Sequence, residues 1–118
     1  MRLKSEIWVK WYLRQAANAG GMGAVVRHGD DTAGAIFIKI NRLNGLIELY
    51  GPAPPALDAG DDGERRFQRL NANKPMTEAE AEAYLEREAR FDSDLWVLEI
   101  ESSGGAHFLD GWLLATPG

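Results

Sequence analysis

The chain has 118 residues, no cysteine, and 13 Lys/Arg against 18 Asp/Glu. This length fits one domain over residues 1–118, and the absence of cysteine excludes disulfides, thiolate zinc sites, iron–sulfur clusters and a cysteine nucleophile. The net charge of −5 argues against a duplex-DNA binder. Because no apolar run approaches the ~20 residues that span a bilayer, we expect a cytoplasmic domain without membrane contact.

The first predicted element is a helix that begins at Ser5 and ends at Gly20-Gly21. Its inward face on a helical wheel is apolar and consists of Trp8, Val9, Tyr12, Leu13 and Ala16. A second, outward set has an apolar centre and a basic rim, as protein interfaces do, and consists of Ile7, Lys10, Trp11 and Arg14. We predict a contact surface there, with Trp11 at least half exposed. The alternative is that Trp11 folds over the sheet edge or over a loop at 51–63.

Two strands follow, at 23–28 and at 35–41, and the second carries isoleucine at every other position. The dipeptide Asn44-Gly45 predicts a two-residue hairpin turn after it. That turn pairs Ile40 with Leu49, which places both side chains on the core face of the sheet.

The same register gathers polar side chains on the opposite face. With one residue from a later strand, this predicted polar face consists of Lys39, Asn41, Glu48, Tyr50 and Glu99. A face that is half apolar and half polar is typical of an interface or an open pocket. The alternative is a cross-strand ion pair between Lys39 and Glu48 without further function.

Residues 51–63 predict a long Pro/Gly/Asp loop, and residues 65–70 predict a fourth strand at the sheet edge. The basic residues around Phe67 form a candidate anion contact at Arg65, Arg66 and Arg69. With the Phe67 ring between them, these cations could bind single-stranded RNA over residues 65–74. The alternative is that they are the charged residues of an edge strand, which prevent unwanted strand pairing.

Thr77 and Glu80 predict a capping box for a helix that runs to about Phe91. Glu88 falls on the apolar face of that helix, so we expect it to pair with Arg27 or Arg69, or else the helix to end before Glu88. Strands at 95–101 and 107–109 complete the order α-β-β-β-β-α-β-β. The predicted fold is α+β, with a mainly antiparallel sheet of five or six strands and two helices on one face.

Three patterns suggest a ligand or metal site, and each lacks an essential feature. The glycine run at 20–23 opens a strand rather than a helix, so it does not form a phosphate-binding loop. The acidic segment at 58–63 lacks two ligands of a calcium loop. His28 and His107 lie in no metal-ligand spacing. We therefore expect no metal and no cofactor.

Five segments resemble a family of short alphaproteobacterial proteins, domain-of-unknown-function family 1491. They are RLKSEIWVK (2–10), GAIFIKINRLNG (34–45), ELYGPAPP (48–55), RFDSDLWVLEIE (90–101) and HFLD (107–110). The resemblance covers nearly the whole chain and implies a bacterial cytoplasmic protein. It implies no activity and no catalytic residue.

The leading hypothesis is a non-enzymatic protein-interaction or ligand-binding module that takes a protein partner or a second copy of itself. Its support is the lack of a catalytic signature in the sequence, together with the mixed sheet face and Trp11. The alternative is a small metal-dependent hydrolase or nuclease that uses Glu48 and Glu99 with Lys39 as a charge stabiliser. Single-stranded RNA binding is the third hypothesis.

Overall fold

The structure is a computed structural model that describes residues 2–54, 64–71 and 74–114. Its elements are α1 (Ser5–Asn18), β1 (Met22–Arg27), β2 (Ile36–Asn41), β3 (Leu46–Pro52), β4 (Phe67–Arg69), β5 (Met76–Thr77), α2 (Glu78–Phe91) and β6 (Trp96–Glu101). The sheet has the order β1-β6-β2-β3-β4, and β5 also pairs with β3. All pairs are antiparallel except β2 with β6. The predicted α+β class and mainly antiparallel sheet are confirmed.

The two helices lie on opposite faces of the sheet, so the prediction that both share one face is wrong. Helix α1 packs Trp8 and Tyr12 against the isoleucines of β2, and we call this side the α1 face. Helix α2 packs Leu85 against Phe37 and Val97 on the other side, the α2 face. Because β2 and β6 carry apolar residues on both faces, each face needs its own cover. No helix among the described residues is long and apolar enough to cross a membrane.

The β2–β3 hairpin is present, but its register differs from the predicted one by one residue. Ile40 pairs with Glu48 and Lys39 with Leu49, whereas the predicted turn pairs Ile40 with Leu49. The turn contains an extra residue because Leu43 adopts a φ of 62° and its N–H donates to Asn41 Oδ1. A slip of one residue moves every β3 side chain to the other face of the sheet.

The predicted final strand at 107–109 is absent, and residues 102–112 contain no strand. The residues that follow, at 112–114, cover the outer edge of β4. Phe67 N donates to Trp112 O, and Leu114 N donates to Phe67 O, each at 2.8 Å. Strand β4 is shorter than the predicted 65–70, and β5 was not predicted. Strand β3 runs to Pro52, two residues into the predicted loop at 51–63, and residues 55–63 of that loop lie outside the described residues.

Strand β1 forms the other edge of the sheet, and all six of its residues are exposed. Its pairing with β6 shifts between Val25 and Arg27, so Val26 is the extra residue of a bulge. Within the ranges that the structure describes, no strand pairs with the outer side of β1. The backbone groups on that side are therefore available for pairing with another chain.

The buried hydroxyl of Tyr12 makes the fold sensitive to alkali. It donates a hydrogen bond of 2.6 Å to His107 O, and burial followed by the nearby Tyr50 raises the pKa of Tyr12 well above its ordinary value. An unfolded tyrosine ionises near pH ~10, so the unfolded state loses its proton first as the pH rises. We expect stability to be fully present below pH ~10 and to fall above it, by up to about 1.4 kcal/mol per pH unit for this group.

The variant Tyr12→Phe tests this expectation, because it lacks the titrating group. In urea titrations at pH 9 to 11.5, we expect the variant to start less stable than the parent and to lose stability with a shallower slope. Equal slopes for parent and variant would show that Tyr12 does not control alkaline unfolding.

Candidate functional site

The ammonium group of Lys39 is the central polar group of the α2 face, and its side chain is only 3% exposed. Its Nζ donates a 2.6 Å hydrogen bond to Glu78 Oε1 and lies 3.2 Å from Glu99 Oε1 and 3.9 Å from Glu82 Oε1. Burial favours the neutral amine, but the hydrogen bonds to Glu78 and Glu99 outweigh it and raise the pKa of Lys39. The lysine therefore stays charged and connects β2 to α2 and β6.

The start of α2 is fixed by the predicted capping box. Thr77 Oγ1 accepts a hydrogen bond from Glu80 N at 3.2 Å, and Glu80 Oε1 accepts one from Thr77 N at 3.0 Å. Thr77 also belongs to β5, where it pairs with Leu46 of β3. Because the helix begins directly at the sheet, the next residue, Glu78, comes within hydrogen-bonding distance of Lys39.

A groove of about 430 Å³ opens beside this cluster, between α2 and the part of the sheet formed by β6 and β1. Its apolar lining consists of Val26, Leu85, Ala89 and Val97. Its charged lining consists of Arg27, Lys39, Glu82, Glu86 and Arg90. The groove exists because α2 packs mainly over β3 and β5, with Leu85 reaching Val97 of β6, and leaves β1 uncovered on the α2 face. Such a surface suits an apolar side chain flanked by charges.

The structure divides the predicted polar face between the two sides of the sheet. Lys39, Asn41 and Glu99 lie on the α2 face as predicted. Glu48 and Tyr50 lie on the α1 face, because the hairpin register places them opposite Ile40 and Ile38. The prediction of a single face was wrong for these two residues, because the extra residue in the turn moves the β3 side chains to the other face of the sheet.

The carboxylate pair of the hydrolase hypothesis is therefore not assembled. Glu48 is held on the α1 face by Arg42 at 3.0 Å and by Arg69 at 3.5 Å, whereas Glu99 contacts Lys39 on the α2 face. Among the residues that the structure describes, no group of three or more His, Asp or Glu side chains has a geometry that could hold a metal ion.

The predicted contact surface on α1 is partly covered. Ile7, Lys10 and Arg14 are exposed, as predicted. Trp11 is 39% exposed, less than the predicted half, because Trp112 packs against it with ring centroids 5.5 Å apart. No pattern in the sequence indicates that residues near 112 return to α1. The ring partner of Trp11 is thus Trp112, a residue that neither the predicted contact surface nor its alternative included.

The candidate anion contact is also divided. Arg65 and Arg66 line a cavity of about 520 Å³ together with Arg2 and Lys4, whereas Arg69 contacts Glu48. Phe67 is only 1% exposed and packs against Trp8, so its ring is not available to stack on a base. The base-stacking part of the RNA hypothesis was therefore wrong, because β4 turns this ring into the core.

Glu88 does not pair with either predicted cation. Burial and the neighbouring carboxylate of Glu88, one helical turn further along α2, raise the pKa of Tyr84. Arg27 instead donates to Ser93 O at 3.0 Å, and Arg69 contacts Glu48. The half-buried position of Glu88 lets it keep contact with water, so a cation is not required.

The groove residues from α2 and β1 were not predicted as a site. The signal was present in part: the capping box fixes the helix phase, which places Glu82, Glu86 and Arg90 in one row. What the sequence did not reveal is that α2 covers the face that carries Lys39. The bulge at Val26, which turns this side chain into the groove, leaves no pattern in the sequence.

Comparisons with known proteins agree on the family. The family model described as protein of unknown function (DUF1491) matches residues 3–110. The crystal structure of a DUF1491 family protein from Caulobacter crescentus CB15 is 34% identical, with a TM-score of 0.77 over 98% of this chain and 100% of that chain. The solution structure of protein Atu0922 from A. tumefaciens is 43% identical, with a TM-score of 0.80 over 99% of this chain and 98% of that chain.

No match was found among curated proteins. The resemblance seen in the sequence is confirmed, and the chain belongs to the DUF1491 family, whose function is unknown.

Proposed function

We propose that this protein is a non-enzymatic interaction module that binds a short extended segment of a partner protein between α2 and β1. The observation that carries this proposal is the groove of about 430 Å³, which has apolar and charged lining residues and lies beside β1, whose outer side pairs with no strand among the described residues. Grooves between a helix and an edge strand bind extended peptides by strand addition, in which backbone hydrogen bonds provide affinity and side-chain pockets provide specificity.

The two edges of the sheet support the choice of β1. The edge at β4 is covered by the chain's own residues 112–114, so it offers no free backbone there. Natural proteins protect an edge with lysine, proline or a bulge; β1 (MGAVVR) contains no lysine or proline, and its bulge directs Val26 into the groove. Its exposed apolar residues Met22 and Val26 therefore favour a partner strand over open solvent.

The bulge at Val26 supports the groove as the specific part of this surface. Val26 is 58% exposed and lines the groove, whereas Val25 is 42% exposed and pairs with Leu98, whose side chain lies on the α1 face. Phe91, at the end of α2 next to the groove residue Arg90, is 91% exposed. An added strand would cover apolar surface on this side of the sheet.

A selection from a library of random heptapeptides displayed on phage tests the proposal. A selected peptide, labelled with a fluorophore, is titrated by fluorescence anisotropy against the parent and two variants. We expect Val26→Asp to weaken binding by about tenfold or more, because a carboxylate would have to be desolvated in the apolar groove. Val25→Asp is the matched control, with the same change one residue away on the other face, and should bind within about twofold of the parent.

Two results contradict the proposal. One is a selection that yields no peptide sensitive to Val26→Asp. The other is equal weakening by both variants, which would place the peptide somewhere other than the groove.

The same proposal places the module in the bacterial cytoplasm. The lack of cysteine and the likeness to alphaproteobacterial proteins support this location. Fractionation of an alphaproteobacterium that expresses the chain checks it, and recovery in the periplasmic fraction would contradict it.

A further inference from the structure

We infer that the groove selects an extended segment that carries an acidic and a basic side chain on the same face, about four residues apart, with an apolar residue midway. This inference rests on the proposed function and names the chemistry of the segment. It follows from the order of charges along the groove.

One end of the groove is basic. Arg90 lies near the end of α2, and Arg27 at the end of β1 lines the same groove. Arg27 Nη2 donates to Ser93 O, two residues beyond the last residue of α2, which places Arg27 at the C-terminal end of the helix. An acidic side chain of the bound segment would contact this end.

The other end of the groove is acidic. Glu82 lines the groove and lies 3.9 Å from the ammonium of Lys39, which Glu99 and Glu78 also contact. Three carboxylates around one ammonium leave an excess of negative charge at this end. Glu86 lies one turn further along the groove. A basic side chain of the segment would contact Glu82 or Glu86.

Three charged side chains that line the groove away from Lys39 could form ion pairs with a bound segment. In the part of the chain that the structure describes, no ion pair within 4.0 Å includes Arg27, Glu86 or Arg90. Their charges are therefore not neutralised by an ion pair within the described residues, and Arg27 makes only a hydrogen bond to the carbonyl oxygen of Ser93. Charges arranged in this way determine which partner binds and in which register.

The spacing follows from helix and strand geometry. Glu82 and Arg90 are separated by two i,i+4 steps, which is about 12 Å along a helix that rises ~1.5 Å per residue. A strand rises ~3.3 Å per residue, so this length corresponds to about four residues. Residues two and four apart in a strand lie on one face, which places the apolar residue between the two charges, over Val26 and Leu85.

Synthetic peptides with acetylated and amidated ends test the inference. The two dipolar peptides are Thr-Glu-Thr-Val-Thr-Lys-Thr and its reverse order, since the chain direction in the groove is a result of the experiment. The uncharged peptide is Thr-Gln-Thr-Val-Thr-Gln-Thr. We expect one dipolar order to bind about tenfold more tightly than the uncharged peptide, and the difference to shrink at 1 M salt, where the screening length is only ~3 Å.

A charge reversal in the protein locates the contact. Arg90→Glu should remove the advantage of the dipolar peptide, and a peptide with lysine at both charged positions should recover it. Arg87→Glu is the matched control, because Arg87 lies on the same helix but does not line the groove. It should leave the ranking of the peptides unchanged.

Three outcomes would overturn the inference. If the uncharged peptide binds as tightly as both dipolar peptides and Val26→Asp still weakens it, the groove binds peptides without charge selection. If no peptide responds to Val26→Asp, the proposed function fails as well. If the protein forms a dimer that Val26→Asp dissociates, a second copy of the chain occupies the surface.

Discussion

Replacing Trp8 by alanine is expected to lower the free energy of unfolding by about 3–5 kcal/mol, the range found for buried large aromatic side chains. Trp8 is 1% exposed and stacks on Tyr12 with ring centroids 5.0 Å apart. Its ring also contacts Phe67 at 5.0 Å and Trp112 at 5.6 Å. Trp8 therefore connects α1 with β4 and with the segment around Trp112. Its loss leaves a cavity that these elements cannot fill by moving closer to one another.

Trp11→Ala is the control in the same helix. Its ring is 39% exposed, and Trp112 is the ring that packs against it, so we expect a loss of about 1 kcal/mol, in the range of a single aromatic pair. Urea unfolding followed by circular dichroism measures both variants. Equal losses for the two variants would show that the core is not organised around Trp8 as described.

The second large effect is expected from the carboxylates around Lys39. The double variant Glu78→Gln/Glu99→Gln removes both charges that hydrogen-bond the buried ammonium, while it keeps the shape of the side chains. The buried ammonium then keeps only the carboxylate of Glu82, 3.9 Å away. Because a poorly compensated buried charge is strongly destabilising, we expect a loss of about 3 kcal/mol. The same unfolding measurement checks it.

Two controls separate this explanation from a general effect of net charge. Glu82→Gln/Glu86→Gln changes the net charge equally, but both side chains are exposed, and we expect a loss below about 1 kcal/mol. Lys39→Met removes the buried cation and leaves the carboxylates able to reach water, so its cost should also be about 1 kcal/mol or less. A larger loss for Lys39→Met than for Glu78→Gln/Glu99→Gln would contradict the account.

The sequence predicts most of the fold because its local signals are strong. The inward face of α1, the capping box at Thr77 and the isoleucine alternation of β2 each depend on neighbours within a few residues, and all three are confirmed. The hairpin register could not be predicted from Asn44-Gly45. Two asparagine side chains reorganise the turn: Leu43 N donates to Asn41 Oδ1, and Leu46 N donates to Asn44 Oδ1.

The candidate site was predicted only in part, because it depends on which face of the sheet each helix covers. Lys39 and Glu99 were identified from strand alternation, which is a local property. Their partner Glu78 was not identified, since this contact requires the tertiary position of α2, set by the pairing of β5 with β3. The bulge at Val26 is likewise a product of the β1–β6 pairing and has no sequence pattern.

A titration followed by ¹⁵N–¹H correlation spectra tests most directly whether the groove between α2 and β1 binds an extended segment. The protein is titrated with a peptide selected from the heptapeptide library. We expect the amide signals of Val26, Leu85, Ala89 and Val97 to shift together with one affinity, and Val26→Asp to weaken that affinity by about tenfold or more. Shifts confined to Ile7, Trp11 and Trp112, with the groove signals unchanged, would contradict the claim and place the binding surface on α1.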